Sequence, residues 1–478
     1  MRRVEIRRPL LIGAAAAALA LPAAPAHAKT RQSVAIGLDA GATQRVDVCG
    51  AKRTASLASR GQKVHAPVTL SEARGLRWGG RRARLIVDRC EGGRWQQVES
   101  RRFGTRGAYR RTRSYRLPIG TASSADLRVR ATVEGDKHRR PAKSRTLYLR
   151  VGRGEIVDVP VAFDVDNVNR TAVPCPSDGK RYEIAGHLMA PRAVLDAGRA
   201  VTVFLHGIEI SDAYFRYRGV PGYDFQGEMA ELGHALIVVD RLGHGESDLP
   251  PAGATCVGAQ ADIAHQIVDL ARAGSYRLGG GAGRAFGKVA LAGHSFGSYM
   301  AEVSAMSFNN QDALVLNAFA AEGIDLALLA DRQSRGEAGS CQTGSGFEKR
   351  PGAPTGYAYL WPDRDIWNAD TFGNAEPRIA EDSEELRERS PCGDINSSVP
   401  AAFTEPGQYN RITSPVVMTF GSQDKLFPPP AGQNHRTFFT GSSDVTLYEV
   451  DGGHTLMLQR TAPEFRQKLS DWLRARGF

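Results

Sequence analysis

One pentapeptide constrains this chain more than any other stretch: Gly293-His294-Ser295-Phe296-Gly297. It directly follows Lys288-Val289-Ala290-Leu291-Ala292, which reads as a buried strand. It leads into Ser298-Tyr299-Met300-Ala301-Glu302, which reads as the start of a helix. A G-x-S-x-G turn between strand and helix must bend sharply, straining the serine backbone and lifting its hydroxyl above a sheet. The small flanking glycines let neighbouring elements pack close.

The surrounding pattern supplies such a sheet. Apolar runs of strand length occur at Ile156–Phe163, Arg181–Leu188, Ala200–Leu205, Ala235–Asp240, Lys288–Gly293, Asp312–Asn317, Pro415–Phe420 and Val445–Val450. Helical spacing appears at Gly227–Leu232, Asp262–Arg272, Ser298–Met306 and Glu464–Arg474. Two hairpin-like strands followed by β-α alternation predict an α/β fold, with an eight-stranded, mostly parallel sheet covered on both faces. The alternation stops between Asn317 and Arg411. A structureless loop of that length is improbable, so a cap inserted at about residues 320–410 is expected.

Four further segments, with the pentapeptide, resemble the α/β-hydrolase superfamily. His206-Gly207 follows the strand Val201–Leu205, where that family carries its HG motif. Asp240-Arg241-Leu242-Gly243-His244-Gly245-Glu246-Ser247 is similar to its D-x-x-G-H-G-x-S loop. Phe420-Gly421-Ser422-Gln423-Asp424-Lys425-Leu426-Phe427-Pro428 resembles G-x-x-D-x-x-x-P, and Asp451-Gly452-Gly453-His454-Thr455 follows the last strand. The resemblance implies Ser295 as nucleophile, His454 as base and Asp424 as orienting acid, in the family's chain order. It implies oxyanion donors at the backbone amides of Ile208 and Phe296. It gives His206 and His244 structural roles. Glu322, with Asp325 nearby, is the fallback acid, and His435 in the helical stretch Ala431–Phe439 is the alternative base. No metal or organic cofactor is implied. A serine at the turn argues against the dehalogenase and epoxide-hydrolase branches, which generally use Asp there.

The first 28 residues read as a cleaved export signal. Arg2, Arg3, Arg7 and Arg8 precede the apolar run Leu10–Leu21, and Ala26-His27-Ala28 fits an A-x-A cleavage site. Arg7-Arg8 also suggests a twin-arginine signal. The run is too short to span a bilayer, and no later stretch looks transmembrane. Secretion makes disulfides the expected use of the six cysteines, and no metal-ligand spacing occurs. Fifteen pairings are possible for six cysteines. Adjacency within domains suggests Cys49–Cys90, Cys175–Cys256 and Cys341–Cys392.

Residues 29–152 read as a separate all-β module and 153–478 as the hydrolase domain. Ala83–Val87, Ala125–Val133 and Thr146–Val151 are its clearest strands, and the last two resemble the final hairpin of immunoglobulin-like or fibronectin-like sandwiches. Residues 29–150 hold 29 Lys and Arg against 9 Asp and Glu, a net +20, whereas residues 151–478 hold 29 against 41, a net −12. So basic a module suggests contact with an anionic cell-wall polymer or polysaccharide. No nucleic-acid motif occurs.

For the hydrolase domain the leading expectation is cleavage of a carboxylic ester in a small-molecule substrate. Amide cleavage is the alternative. It would need a carboxylate in the cap to hold a substrate amine, for which Glu376, Glu381, Asp382, Glu384 and Glu385 are candidates. The third reading is a non-catalytic binding protein on the same fold. Tyr357, Tyr359, Trp361, Trp367 and Phe372 either line an apolar pocket or fill the cap's own core.

Overall fold

In the computed structural model, the described residues are 29–478 except 30, 41–42, 59–62, 73–82, 92, 104–109, 120–124, 137–138, 153–155, 345–354 and 405–407. The export signal expected at residues 1–28, and Arg81 and Arg82 of the basic module, lie outside them.

The N-terminal region builds two sheets. Gln32–Ile36, His65–Glu72 and Arg110–Arg116 form a three-stranded antiparallel sheet. Thr43–Val48, Ala51–Ala58, Leu147–Val151, Ala125–Val133, Ala83–Glu91 and Arg94–Phe103 lie side by side in a second, joined at its margin by Ala142–Lys143. Alternation along Ala125–Val133 turns Leu127, Val129, Ala131 and Val133 inward. They meet Val34, Val68 and Leu70 from the other sheet in one core. Ala125–Val133 pairs antiparallel with Leu147–Val151, and the short strand Ala142–Lys143 lies between them in the chain. Cys49 and Cys90 are bonded, joining the turn after Thr43–Val48 to the end of Ala83–Glu91.

From Ile156 onward a second core is built around a mixed sheet. Ile156–Asp166 and Arg181–Pro191 pair antiparallel along their full length. Leu236–Val239, Ala200–Leu205, Lys288–His294, Ala313–Asn317, Val416–Gly421 and Val445–Val450 follow in space, parallel to one another. The eight expected strands are all present, but the sheet has ten. The extra two, Arg277–Leu278 and Gly281–Ala282, form a small hairpin on the edge beside Ile156–Asp166. Strands of two residues are too short to leave a hydrophobic period, so the sequence gives no sign of them.

The central strands Ala200–Leu205, Leu236–Val239, Ala313–Asn317 and Val416–Gly421 are buried at every residue. That is why they read as unbroken apolar runs rather than alternations. Two helix pairs cover them. Phe225–Glu231 packs on Ala462–Ala475, with Phe225 and Phe465 stacked at 5.8 Å between ring centres. Val257–Ala273 packs on Phe296–Phe308. The helix Val257–Ala273 begins at Cys256, which is bonded to Cys175.

Between Asn317 and Val416 lie the helices Leu326–Arg335, Gly339–Thr343, Arg364–Thr371, Pro377–Asp382 and Cys392–Thr404. A two-residue ladder, Tyr357–Ala358 with Ser390–Pro391, ties this cap together. The third disulfide, Cys341–Cys392, bonds one cap helix to the start of another. All three disulfides thus follow the pairing expected from adjacency, and no described cysteine is free. Among the described residues no helix is long and apolar enough to cross a membrane.

Candidate active site

Ser295 sits between the strand Lys288–His294 and the helix Phe296–Phe308 with φ 53° and ψ −121°. That is a left-handed conformation which a residue with a side chain adopts only under constraint. The constraint is visible. Ser295 N donates to Asn317 O at 2.8 Å, and Ser298 N donates back to Ser295 O at 2.8 Å. Asn317 in turn donates from Nδ2 to Gly293 O at 2.8 Å, and Asn317 N donates to Ser298 Oγ at 2.9 Å. A Cβ at Gly293 would lie 2.2 Å from Ser298 N, and one at Gly297 would lie 2.3 Å from Leu205 O. The two glycines are therefore what lets the turn close beside its neighbour strand.

Two strand ends bring their side chains to this hydroxyl. Asp424 follows Val416–Gly421, and His454 follows Val445–Val450. His454 Nε2 lies 2.7 Å from Ser295 Oγ, and His454 Nδ1 lies 2.8 Å from Asp424 Oδ2. Because a carboxylate only accepts, Nδ1 carries the ring proton; Nε2 then accepts from the serine hydroxyl. The other Asp424 oxygen accepts from the amides of Leu426 at 2.9 Å and Phe427 at 3.1 Å. Phe427 also stacks on the His454 ring. Such a series can draw a proton off the serine hydroxyl and hold the resulting ring cation.

His294 holds the His454 backbone. Its Nε2 donates to the His454 carbonyl at 3.0 Å. Burial pushes its pKa down to about 3, with the neighbouring His454 adding to the effect, so it is neutral at any ordinary pH. His206 is also held well below its ordinary value by burial, with the Arg241 charge second. Its Nε2 accepts from Arg241 N at 2.9 Å, and its Nδ1 donates to Gly207 O at 2.9 Å. His244 is fully buried and bonded to Ser390 Oγ at 3.1 Å. Neither His206 nor His244 lines the cavity at Ser295.

None of the alternative residues is bonded to Ser295 or His454. His435 is buried in the helix Ala431–Arg436, with Nε2 2.6 Å from Glu302 Oε1. Asp325 caps the helix Leu326–Arg335 by accepting from Leu328 N at 2.9 Å. Glu322 is exposed and lines the cavity.

Ser295 opens into a cavity of about 440 Å³. Ile208 and Phe296 line it, with Tyr299, Phe319, Leu329, Leu360, Trp361 and Phe427 among its walls. Phe296 is the first residue of its helix, so its amide has no partner within that helix. Of the five cap aromatics only Trp361 reaches this cavity. Tyr357 is buried and donates to Pro250 O at 2.8 Å. Tyr359 lies between the guanidinium groups of Arg387 and Arg389, each 4.6 Å from its ring centre. Trp367 packs edge-on against Phe372 at 5.4 Å. Both readings of this cluster hold in part: one ring lines the pocket and four pack the cap.

None of the five proposed amine-holding carboxylates lines the cavity. Glu376 pairs with Arg460, Glu381 and Asp382 with Arg378, and Glu384 with Arg387. Glu385 is exposed.

Several groups had no clear signature in sequence. Glu209, the residue after Ile208, is buried and accepts from Trp361 N at 2.7 Å. Its carboxyl is pushed up to about 8 by burial, against the pull of Arg387. Arg241 forms a buried ion pair with Asp394 of the cap at 2.8 Å. Arg241 was legible only as a variable position within D-x-x-G-H-G-x-S, and Asp394 as one acid among many.

No curated protein matches the sequence. Among solved structures, a thermophilic esterase from Thermogutta terrifontis is 18% identical, with a TM-score of 0.44, covering 66% of this chain and 100% of that one. A putative aryl esterase from Burkholderia cenocepacia is 16% identical at a TM-score of 0.44, covering 66% and 99%. A monoacylglycerol lipase from Paleococcus ferrophilus is 17% identical at 0.41, covering 58% and 95%. Likenesses this distant add nothing to the geometry. The description "Alpha/beta hydrolase family" matches residues 202–466, from the strand before His206 to the last helix. That match spans more than half of the sequence, and the chain belongs to the Alpha/beta hydrolase family.

Proposed function

We propose that the protein is an exported serine hydrolase that cleaves carboxylic esters with a large apolar part. The observation that carries this reading is the series Asp424–His454–Ser295 opening into an apolar cavity. In the proposed reaction Ser295 Oγ bonds to the ester carbonyl carbon while its proton passes to His454 Nε2. The carbonyl electron pair moves onto oxygen, where the amides of Ile208 and Phe296 donate to it. Collapse expels the alcohol, which takes the proton from His454. Water then attacks the acyl carbon, giving a proton to His454. The second collapse releases the carboxylic acid and returns that proton to Ser295. Asp424 holds the ring tautomer and balances the transient ring cation.

The ester reading is favoured over the amide reading by the cavity walls. The carboxylates expected to hold a substrate amine are engaged with arginines or stand away from the cavity. The basic N-terminal region would hold the enzyme near an anionic cell-wall polymer or polysaccharide. A panel of p-nitrophenyl esters of increasing acyl length and amino-acid p-nitroanilides tests the substrate class. Turnover of the esters, strongest above the shortest acyl groups, is expected. Faster turnover of the anilides would overturn the ester assignment, and no turnover of either would leave a binding protein.

A further inference from the structure

The Ile208 amide can serve the reaction proposed above only if its peptide plane is held still, and that plane is held from behind. The Gly207 carbonyl belongs to the same peptide unit. It accepts from His206 Nδ1 at 2.9 Å and from Arg241 Nη2 at 3.1 Å. A trans peptide points its C=O and N–H in opposite directions, so fixing the carbonyl fixes the aim of the Ile208 N–H. Arg241 also donates from Nε to His206 O at 3.1 Å. Its guanidinium lies 5.5 Å from the centre of the Phe296 ring. One side chain thus touches both stretches that carry the two donors.

The remaining edge of the guanidinium faces the cap. Arg241 Nη1 donates to Asp394 Oδ2 at 2.8 Å, with the two side chains only 2% and 0% exposed. Neither charge reaches water, so each depends on the other to be tolerated there. Asp394 also accepts from Gln260 Nε2 at 3.1 Å. It stands in the first turn of Cys392–Thr404, the helix whose first residue is bonded to Cys341. A cation bonded to the Gly207 oxygen also polarises that peptide and strengthens its N–H as a donor.

We propose that Arg241 and Asp394 are positioning residues that aim and polarise the Ile208 oxyanion donor. The cap then shapes the transition-state site as well as the cavity walls. This rests on the serine-hydrolase reading, and the experiment separates the two. Arg241→Lys, Arg241→Met and Asp394→Asn are compared with wild type on an ester and on its thionoester analogue. A boronic acid that mimics the tetrahedral intermediate is titrated alongside. Thiocarbonyl sulfur is a poor hydrogen-bond acceptor and draws little on the donors.

Losing an oxyanion donor outright costs about 10²–10³-fold, so a mis-aimed one should lower kcat on the ester about 10–100-fold, with KM within about threefold of wild type. The thionoester should lose much less, and boronic acid affinity should fall with the ester kcat. A merely structural role would depress both substrates equally in proportion to the folded fraction, and that result overturns the proposal. Unchanged ester kcat in variants that melt like wild type overturns it as well. Should Arg241→Met fail to fold, Arg241→Lys and Asp394→Asn carry the same test. Ester turnover that survives in Ser295→Ala would instead overturn the underlying reading.

Discussion

In the N-terminal region, the strand Ala125–Val133 turns Leu127, Val129 and Ala131 inward and leaves Arg128 and Arg130 on the other face. In the C-terminal region, the strands Ala200–Leu205 and Val416–Gly421 bury both faces, with Thr202 and Thr419 as their only polar residues, and the ionisable side chains follow beyond their ends. Buried charge is distributed accordingly. The N-terminal region buries Asp88, which pairs with Arg128 and Arg130 at the sheet surface, and Arg139. The C-terminal region buries Glu209, Asp240, Arg241, Asp262, Glu302, Asp370, Arg387, Asp394, Asp424 and Arg466, several of them beside the loops that carry Ser295, Ile208 and His454. Buried ionisable groups are costly unless well paired. Their concentration in one region marks where the fold must aim particular atoms, and their scarcity in the other marks a region whose chemistry lies on its surface.

The largest effect that would sharpen this contrast is Ser295→Ala. Losing the nucleophile of such a series typically costs several orders of magnitude in kcat. The thermal transition should stay close to wild type, because the side chain is small and the turn is held by Asn317 and Ser298. Comparable turnover in wild type and purified mutant would remove the C-terminal region's claim to the chemistry.

The next effect belongs to the N-terminal region. Cys49 and Cys90 close a loop of 41 residues. In the chain-entropy model such a closure stabilises by about 4 kcal/mol. Cys49→Ser paired with Cys90→Ser should therefore destabilise the core around Leu85, Leu127 and Val129 by a similar amount. Ester turnover should be unaffected at temperatures where that core remains folded. A variant that unfolds at lower denaturant with turnover lost in step would show that the two cores depend on each other.

The same contrast explains what could be read from sequence. The central strands of the C-terminal sheet were legible because burial on both faces produces apolar runs, whereas Ile156–Asp166 and Arg181–Pro191 were legible from apolar residues on their one buried face. Ser295, Asp424 and His454 were legible because each stands in a glycine-containing loop just beyond such a run. Only three N-terminal strands were clear. Gln32–Ile36 and His65–Glu72 alternate but are half-exposed and carry few large apolar residues, and in Ala51–Ala58 the exposed Lys52, Arg53 and Thr54 stand in a row and break the alternation. The ten-stranded count was hidden because Arg277–Leu278 and Gly281–Ala282 are too short to carry a pattern. Asp394 was illegible for a different reason. It lies 153 residues from Arg241 along the chain, and nothing local gives it meaning until the cap folds over the loop.

A smaller effect follows from the buried carboxylates. Burial pushes Glu209 up to about 8, and burial with the neighbouring Asp212 pushes Asp240 up to about 7. Between the ordinary carboxylate range and those values, the folded chain keeps protons that the unfolded chain has released. Stability contributed by these groups is thus fully present below about pH 4 and is lost as pH rises through 7 and 8. The described carboxylates raised by burial all lie in the C-terminal region. Glu209→Gln should flatten the fall in the C-terminal transition between pH 6 and pH 8. An unchanged slope would mean that Glu209 stays ionised in the folded chain, held by Arg387.

The smallest effect tests the surface half of the comparison. Residues 29–150 carry a net +20 beside a net −12 for residues 151–478. Arg94, Arg102, Arg113 and Arg116 are exposed on the N-terminal sheets. Attraction of such a surface to a polyanion is non-specific and is screened beyond about 8–10 Å at physiological salt. The full chain should therefore be retained on an immobilised anionic polysaccharide at low salt despite its acidic C-terminal region, and released as salt rises. Replacing Arg102, Arg113 and Arg116 with Glu changes the net charge by six units without touching either core. The variant should elute at clearly lower salt, with ester kcat and KM unchanged, because none of these residues lines the cavity at Ser295. Elution at the wild-type salt concentration would show that the basic surface does not hold the polymer. The N-terminal sheets would then be a spacer whose arginines serve solubility alone.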